Sequence, residues 1–224
     1  MIRSFSIALL LCLALPATAA RADAPTPIAS ARGLARGTPA LVEGYVSVEP
    51  GRYASSTGDQ GFAIQDASGG LYVSQAARLK LAAGSRVRVQ GRIEDDGHGQ
   101  IVIVPAGPRA IRQLPGRRLP QPEPRRSGDI GAEAAGLLVR VSGRISAPPQ
   151  ADLPWGYKLH VDDGSGAVLV FIAASTRIDA LRAGFIETGG TLRVTGFVSR
   201  YEQHYEILPR RRVDLEVLRP APAE

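Results

Sequence analysis

The feature that most constrains this chain is its self-similarity. Four blocks recur in the same order about 100 residues apart, which is the mark of a duplicated structural unit. Residues 41–46 (LVEGYV) find their counterpart in 139–145 (VRVSGRI), each run broken by one glycine, Gly44 and Gly143. Residues 61–73 (GFAIQDASGGLYV) correspond to 157–171 (YKLHVDDGSGAVLVF). Residues 84–93 (GSRVRVQGRI) correspond to 189–198 (GGTLRVTGFV), and 101–105 (IVIVP) to 205–209 (YEILP). A chain built this way folds the same unit twice.

Within each block apolar residues alternate with others, the period-2 pattern of a strand with one buried face. The Asp-x-Ser-Gly and Asp-Gly-Ser-Gly stretches at 66–69 and 163–166 are hairpin turns, because glycine reaches positive φ at no steric cost. Segments 74–83 and 173–183 carry the runs 78–81 (RLKL) and 177–181 (RIDAL) and are predicted to form a short helix or helical turn. The order per repeat is then β-β-β-α-β-β. Five strands with a helix between the third and the fourth define the OB barrel, a partly open Greek-key barrel. The expected fold class is all-β, two such barrels in tandem. Glycines inside strands, Gly44, Gly91, Gly143 and Gly196, fit the bends that a small closed barrel needs. Twenty-five glycines, 17 prolines and 5% aromatics agree with a turn-rich, helix-poor chain.

The expected organisation is a signal peptide at 1–22, an N-terminal segment at 23–39, a first barrel at 40–114, a linker at 115–128, a second barrel at 129–218 and a tail at 219–224. The first stretch has a positive start at Arg3, a short apolar core at 7–15, a break at Pro16 and small residues before a cut after Ala22, with Ala19 and Ala20 as alternatives. Cys12 is the chain's one cysteine and lies inside this stretch. Leu11 before it is too large for a lipoprotein signal. The mature chain therefore has no disulfide, and its expected address is periplasmic or secreted. It contains no apolar run long enough to span a bilayer. The linker holds four prolines and four arginines in 115–127, a composition that excludes helix and central strand. Single helical turns are expected at 27–36 and 129–135.

The blocks 61–73 and 137–145 (LLVRVSGRI) resemble exported bacterial OB-fold modules, which occur alone, in tandem and beside extracellular nuclease domains. The resemblance covers 40–114 and 129–218. It implies the fold and a binding role, with the nuclease partner domain absent.

Alternation assigns the core. Val42, Val46, Phe62, Ile64, Leu71, Val73, Val87 and Val89 point into the first barrel, and Val139, Val141, Ile145, Leu159, Val161, Val168, Val170, Leu192 and Val194 into the second. Tyr45, Gln65, Tyr72, Arg86 and Arg88 then point out of the first, and Arg140, Arg144, Lys158, His160, Phe171 and Arg193 out of the second. In OB barrels, ligands lie across strands two and three and between the flanking loops. Aromatics among arginines suit single-stranded nucleic acid, with bases stacked on rings and phosphates met by guanidinium groups. Tyr45, Tyr72, Trp155, Tyr157 and Phe171 are the stacking candidates. Arg86, Arg88, Arg140, Arg144 and Lys158 are the phosphate candidates. The competing expectation is cross-strand packing for each aromatic and a solvated surface for each arginine. The densest basic run is Arg117, Arg118, Arg125 and Arg126, which either grips a polyanion or keeps an exposed linker soluble.

The net charge of +6 becomes +4 without Arg3 and Arg21, which permits an anionic partner without requiring one. No enzyme is expected. The histidines are His98, His160 and His204, with no HExxH motif and no metal-ligand spacing. His160 with Asp162 and Asp163 suggests a metal site, yet a turn role for the aspartates fits better. Asp59, Asp95 and Asp96 fall in expected loops. No cofactor is implied. The expected function is a non-catalytic exported binder of single-stranded nucleic acid. The alternative is a cell-envelope module that binds a protein or a glycan.

Overall fold

β-Branched residues set alternately along a strand fill one face of a sheet, and a sheet that closes on itself hides that face completely. The computed structural model, which describes residues 24–53 and 58–221, shows this happening twice. The first repeat consists of β1 (Pro39–Val48), β2 (Phe62–Gln65), β3 (Gly70–Val73), β4 (Ser85–Asp95) and β5 (Ile101–Pro105). They pair in the order β1-β2-β3-β5-β4, and β4 returns to β1 to close the barrel. A sixth strand, β6 (Ile111–Arg117), lies on the free edge of β4.

The second repeat follows the same path. After the two-residue β7 (Glu123–Pro124) come β8 (Leu138–Ile145), a short β9 (Gln150–Asp152), β10 (Gly156–Asp162), β11 (Val168–Ala173), β12 (Thr191–Tyr201), β13 (His204–Leu208) and β14 (Leu215–Arg219). The barrel order is β8-β10-β11-β13-β12, closed by β12 on β8, with β14 on β12 as β6 is on β4. The repeated unit thus has six strands, one more than the sequence pattern suggested.

Every residue assigned inward is buried in its own barrel. At roughly 1.5–3 kcal/mol for each large apolar side chain withdrawn from water, these two sets supply most of the driving force. The strand glycines mark close approaches between neighbouring strands. A Cβ at Gly91 would stand 2.6 Å from the Val104 carbonyl oxygen, and one at Gly143 2.7 Å from that of Asp162.

The predicted helix between the third and fourth strands does not form. Residues 74–83 are irregular, and the second repeat has only a 3-10 turn at Ala174–Thr176. The reason lies in the spacing. Leu79 and Leu81 both reach the first core, and Ile178 and Ala180 both reach the second, so the buried positions alternate as in extended chain. The one α-helix among the described residues, α1 (Ile28–Arg32), precedes β1, inside the predicted turn at 27–36. Before the second barrel, a 3-10 turn at Ser127–Asp129 and further turns replace the expected helical turn.

Both hairpin turns hold the segment that leads into their barrel. Asp66 accepts the Ile28 amide at 3.0 Å, and the Ser68 hydroxyl accepts the Ala29 amide at 3.1 Å. Asp163 accepts from the Ser127 hydroxyl at 2.9 Å, and the Ser165 hydroxyl accepts the Gly128 amide at 2.9 Å. Hydrogen bonds from Ser165 and Ser127 outweigh partial desolvation and hold the Asp163 carboxyl at about 2.

The barrels pack together through a third apolar cluster. Val48, Tyr53, Ala63, Tyr72 and Val102 of the first barrel meet Ala173, Phe197 and Leu208 of the second. Tyr53 donates to the Leu208 carbonyl. Gly70 and Gly136 abut so closely that a Cβ on Gly70 would fall 1.8 Å from the Gly136 oxygen. Gln65 accepts the Leu138 amide at 3.0 Å, and Arg210, held by Asp214, donates to the Ser47 carbonyl at 2.9 Å. No helix among the described residues is long and apolar enough to cross a membrane.

Candidate functional site

The docking of the barrels decides which surface is left for a ligand. Ala63, Tyr72 and Val102 are the outward residues of β2, β3 and β5, so the first barrel's strand-two and strand-three face is covered by the second barrel. Tyr72, expected to stack on bases, is 3% exposed. Its ring packs 6.2 Å from that of Phe197 and its hydroxyl donates to Asp59. This corrects the expected placement. Alternation rightly pointed Tyr72 out of its own barrel, but outward here means into the neighbour. Asp59 gathers the Gly61 amide and the Tyr72 and Ser74 hydroxyls, so it is a structural turn residue.

The arginines remain accessible. On the outer face of β1 and β4, Tyr45 stands opposite Arg86 and Glu43 opposite Arg88. Across β4, Arg112 of β6 stands opposite Arg88. Glu43 binds both Arg86 and Arg88, accepting from Arg88 Nη2 at 2.9 Å and from Arg86 Nε at 2.6 Å. Partial desolvation pushes the Glu43 carboxyl up, but the hydrogen bonds from Arg88 and Arg86 prevail and hold it below its ordinary value. One carboxylate therefore pairs with two of the three guanidinium groups, and Arg112 has no carboxylate ion-pair partner among the described residues. Arg88 and Arg112 sit directly across from each other, an arrangement that is unfavourable without a counter-charge.

The face continues along the chain. Arg117 donates to the Ala83 carbonyl and the Arg118 amide to that of Gly84, so both are fixed at the end of β6. After residues 118–122, β7 pairs with β8, where the Arg125 amide donates to the Arg140 carbonyl. Arg125 is paired with Glu123 at 2.7 Å, and Arg126 and Arg140 are exposed. Sequence reasoning missed Arg112, because β6 was not read as a strand. The signal was available in the apolar pair Ile111 and Leu114, which answers Leu215 and Leu218 at the same place in the second repeat.

The other candidates fall into separate groups. Arg144 is exposed, across β8 from Thr191 of β12, while Arg193 pairs with Glu216 at 2.9 Å. Lys158, bound to Asp152 at 2.9 Å, and His160 are half-buried on the outer face of β10. Phe171, opposite Lys158, leans against the rim of the inter-barrel cluster. Tyr157 is not a free platform. It packs against the second core, and desolvation followed by the Asp179 carboxylate raises its phenol. Trp155 is 66% exposed at the turn before β10. Asp162 and Asp163 accept amides of their own turn from Gly164 and Ser165, in keeping with their turn reading. The structure thus unites Tyr45, Arg86 and Arg88, adds Arg112, buries Tyr72 between the barrels and sets the remaining candidates on the second barrel.

Topology and register define a tandem OB-fold protein. No family model matches the chain. Over 169 residues, 71% of the chain, it is 27% identical to Endonuclease YhcR of Bacillus subtilis, and the match spans 13% of that protein. Among solved structures, the protein YgiW from E. coli matches 42% of this chain and 94% of its own at 22% identity and a TM-score of 0.33. A murine DNA-binding protein bound with double-stranded DNA matches 82% of this chain and 98% of its own at 10% identity and a TM-score of 0.44.

Proposed function

We propose that the chain is an exported, non-catalytic binder of nucleic acid. A single strand lies along the outer face of β1, β4 and β6 and continues over the linker arginines toward Arg140. The observation that carries the reading is the three-to-one ratio of guanidinium to carboxylate at Arg86, Arg88, Arg112 and Glu43, with Arg88 and Arg112 directly opposed. A phosphate backbone supplies the missing counter-charge, and Tyr45 beside Arg86 offers a ring to an unpaired base. The similarity to a segment of an endonuclease supports a nucleic-acid partner. The strand-two and strand-three face expected to bind in the first barrel is not part of this reading, since the second barrel occupies it.

The test is fluorescence anisotropy of labelled single-stranded DNA at roughly 50 and 200 mM salt. Several phosphate contacts should cost orders of magnitude in affinity over that range. Arg88→Ala and Arg112→Ala should each weaken binding across all sequences and lower the salt slope by about one. Binding indifferent to salt, or unchanged in both variants, would remove this reading. A second reading, an envelope module for a protein or glycan, draws on the exposed Leu153 and Trp155 at one tip of the second barrel, each 66% exposed. Quenching of the chain's one tryptophan by a partner, without any DNA binding, would favour it.

A further inference from the structure

Where the barrels meet, they leave a cleft of about 430 Å³. Arg32, Ser68 and Gln100 of the first half and Glu133, Arg200 and Tyr205 of the second line it. Its volume lies within the roughly 300–1,000 Å³ of small-molecule sites, more than a lone oxyanion fills. Ile101 lines it as well, while the Phe197 and Val198 side chains are sealed in the apolar clusters behind it.

Both arginines on the lining are half-buried, and neither has a carboxylate ion-pair partner among the described residues. Arg32 reaches only the Gly70 carbonyl, at a long 3.4 Å. Arg200 donates through Nε to the Glu202 carbonyl at 3.0 Å, and its guanidinium lies 5.9 Å from the centre of the Tyr205 ring. The backbone leaves room for both. A Cβ on Gly99 would stand 3.0 Å from Arg200 Nε, and one on Gly136 3.1 Å from Arg32 Nη1. Glu133, the one carboxylate on the lining, is exposed and makes no ion pair among the described residues. Cations withdrawn from water without a counter-ion are costly, and burial already pulls the Arg32 guanidinium below its ordinary value. An anion in the cleft would relieve that cost. Two guanidinium forks suit the several oxygens and double charge of a phosphate monoester.

We propose that the inter-barrel cleft binds a phosphate monoester, its oxygens held between Arg32 and Arg200 and its organic part in the rest of the cleft. The site is separate from the arginine face of β1, β4 and β6, and the proposal does not depend on that face binding nucleic acid. The monoester is either a free mononucleotide or the 5′-phosphate of a strand.

The experiment is isothermal titration of the full chain with inorganic phosphate, adenosine 5′-monophosphate and adenosine. The expected result is that the monophosphate binds, phosphate competes with it, and adenosine does not bind. Arg200→Gln and Arg32→Gln should each weaken monophosphate binding at least tenfold with the thermal midpoint retained, and Arg88→Ala should leave it unchanged. Should Arg32→Gln fail to fold, Arg200→Gln alone decides. Adenosine binding as well as its monophosphate, no binding of the monophosphate at millimolar concentration, or unchanged affinity in Arg200→Gln would overturn the proposal. A 5′-phosphorylated oligonucleotide that outbinds its 5′-hydroxyl twin, with the difference lost in Arg200→Gln, identifies a strand end as the source. Equal binding of the two strands, with monophosphate binding intact, identifies a free nucleotide.

Discussion

Aligned by strand register, the two barrels differ most at three outward positions. Ala63, Tyr72 and Val102 in the first correspond to His160, Leu169 and Glu206 in the second. The first trio is apolar and sealed beneath the neighbouring barrel. The second is mostly polar and receives no such cover, since the first barrel docks instead on β11, β13 and β12 through Ala173, Leu208 and Phe197. Two copies of one fold have therefore divided the work. One gave its outer face to assembly and kept an arginine face on the opposite strands. The other kept its outer face and supplied the apolar surface that closes the pair. A fold alone does not say which face binds.

The most drastic way to break this asymmetry is to remove the ring at its centre. Phe197 touches both Tyr53 and Tyr72 and is 2% exposed. Phe197→Ala should cost about 3–5 kcal/mol and split the thermal unfolding of the full chain into two transitions by calorimetry. A single transition at an unchanged midpoint would mean that the interface does not couple the barrels.

The polar trio makes a pH-dependent prediction that its apolar counterpart cannot. Burial pushes the Glu206 carboxyl up to about 7, against a downward pull from Lys158 and a further upward push from Asp152, with His204 3.8 Å away. Between the ordinary 4.5 and about 7 the folded chain keeps a proton that the unfolded chain has released. This group's contribution to stability is therefore greatest at low pH and declines as pH rises through 7, by an amount on the order of 3 kcal/mol. Glu206→Gln should raise the thermal midpoint at pH 8 and flatten its change between pH 5 and 8. Val102→Leu, at the matching place, should leave the pH profile of the parent intact.

Smaller effects sharpen the contrast. Tyr53→Phe removes one buried hydrogen bond to Leu208 and should cost about 1 kcal/mol in urea unfolding. The two carboxylates of the outer strands should differ as well. Glu43→Gln loosens a network of two half-buried arginines, whereas Glu216→Gln breaks one exposed pair and should change stability by less than about 0.5 kcal/mol. Glu43→Gln should also tighten DNA binding by anisotropy, because it removes the carboxylate that competes with phosphate. Weaker binding in that variant would place the strand elsewhere.

The barrels were legible because period-2 alternation is a local signal that closure then enforces. All seventeen residues assigned inward, Val42 to Val194, are in the cores. The turn aspartates were legible for a similar reason, since Asp66 and Asp163 act within a few residues of themselves. What the pattern hid was non-local. Nothing near Tyr72 announces Phe197, more than a hundred residues away, so outward was taken for exposed. Arg86 and Arg88 read as free because Glu43 lies more than forty residues before them. The sixth strands escaped notice because β6 starts as an ordinary apolar pair and ends in a proline-arginine run that reads as linker. The helix was expected from the runs at 78–81 and 177–181, and the alternation of Leu79 with Leu81 within the first was the better guide.

The chain between β6 and β7 is only residues 118–122, and each end is fixed to a different barrel. Five residues span at most roughly 18 Å, so neither barrel can drift from the other, and each meets its partner at a millimolar-scale effective concentration. A modest apolar patch is then enough to keep the pair closed at any dilution. Leu119, 56% exposed, makes this stretch open to a protease. One cut there would turn a first-order contact into a second-order one, and two barrels held together by their own tether would become two proteins that part as they are diluted.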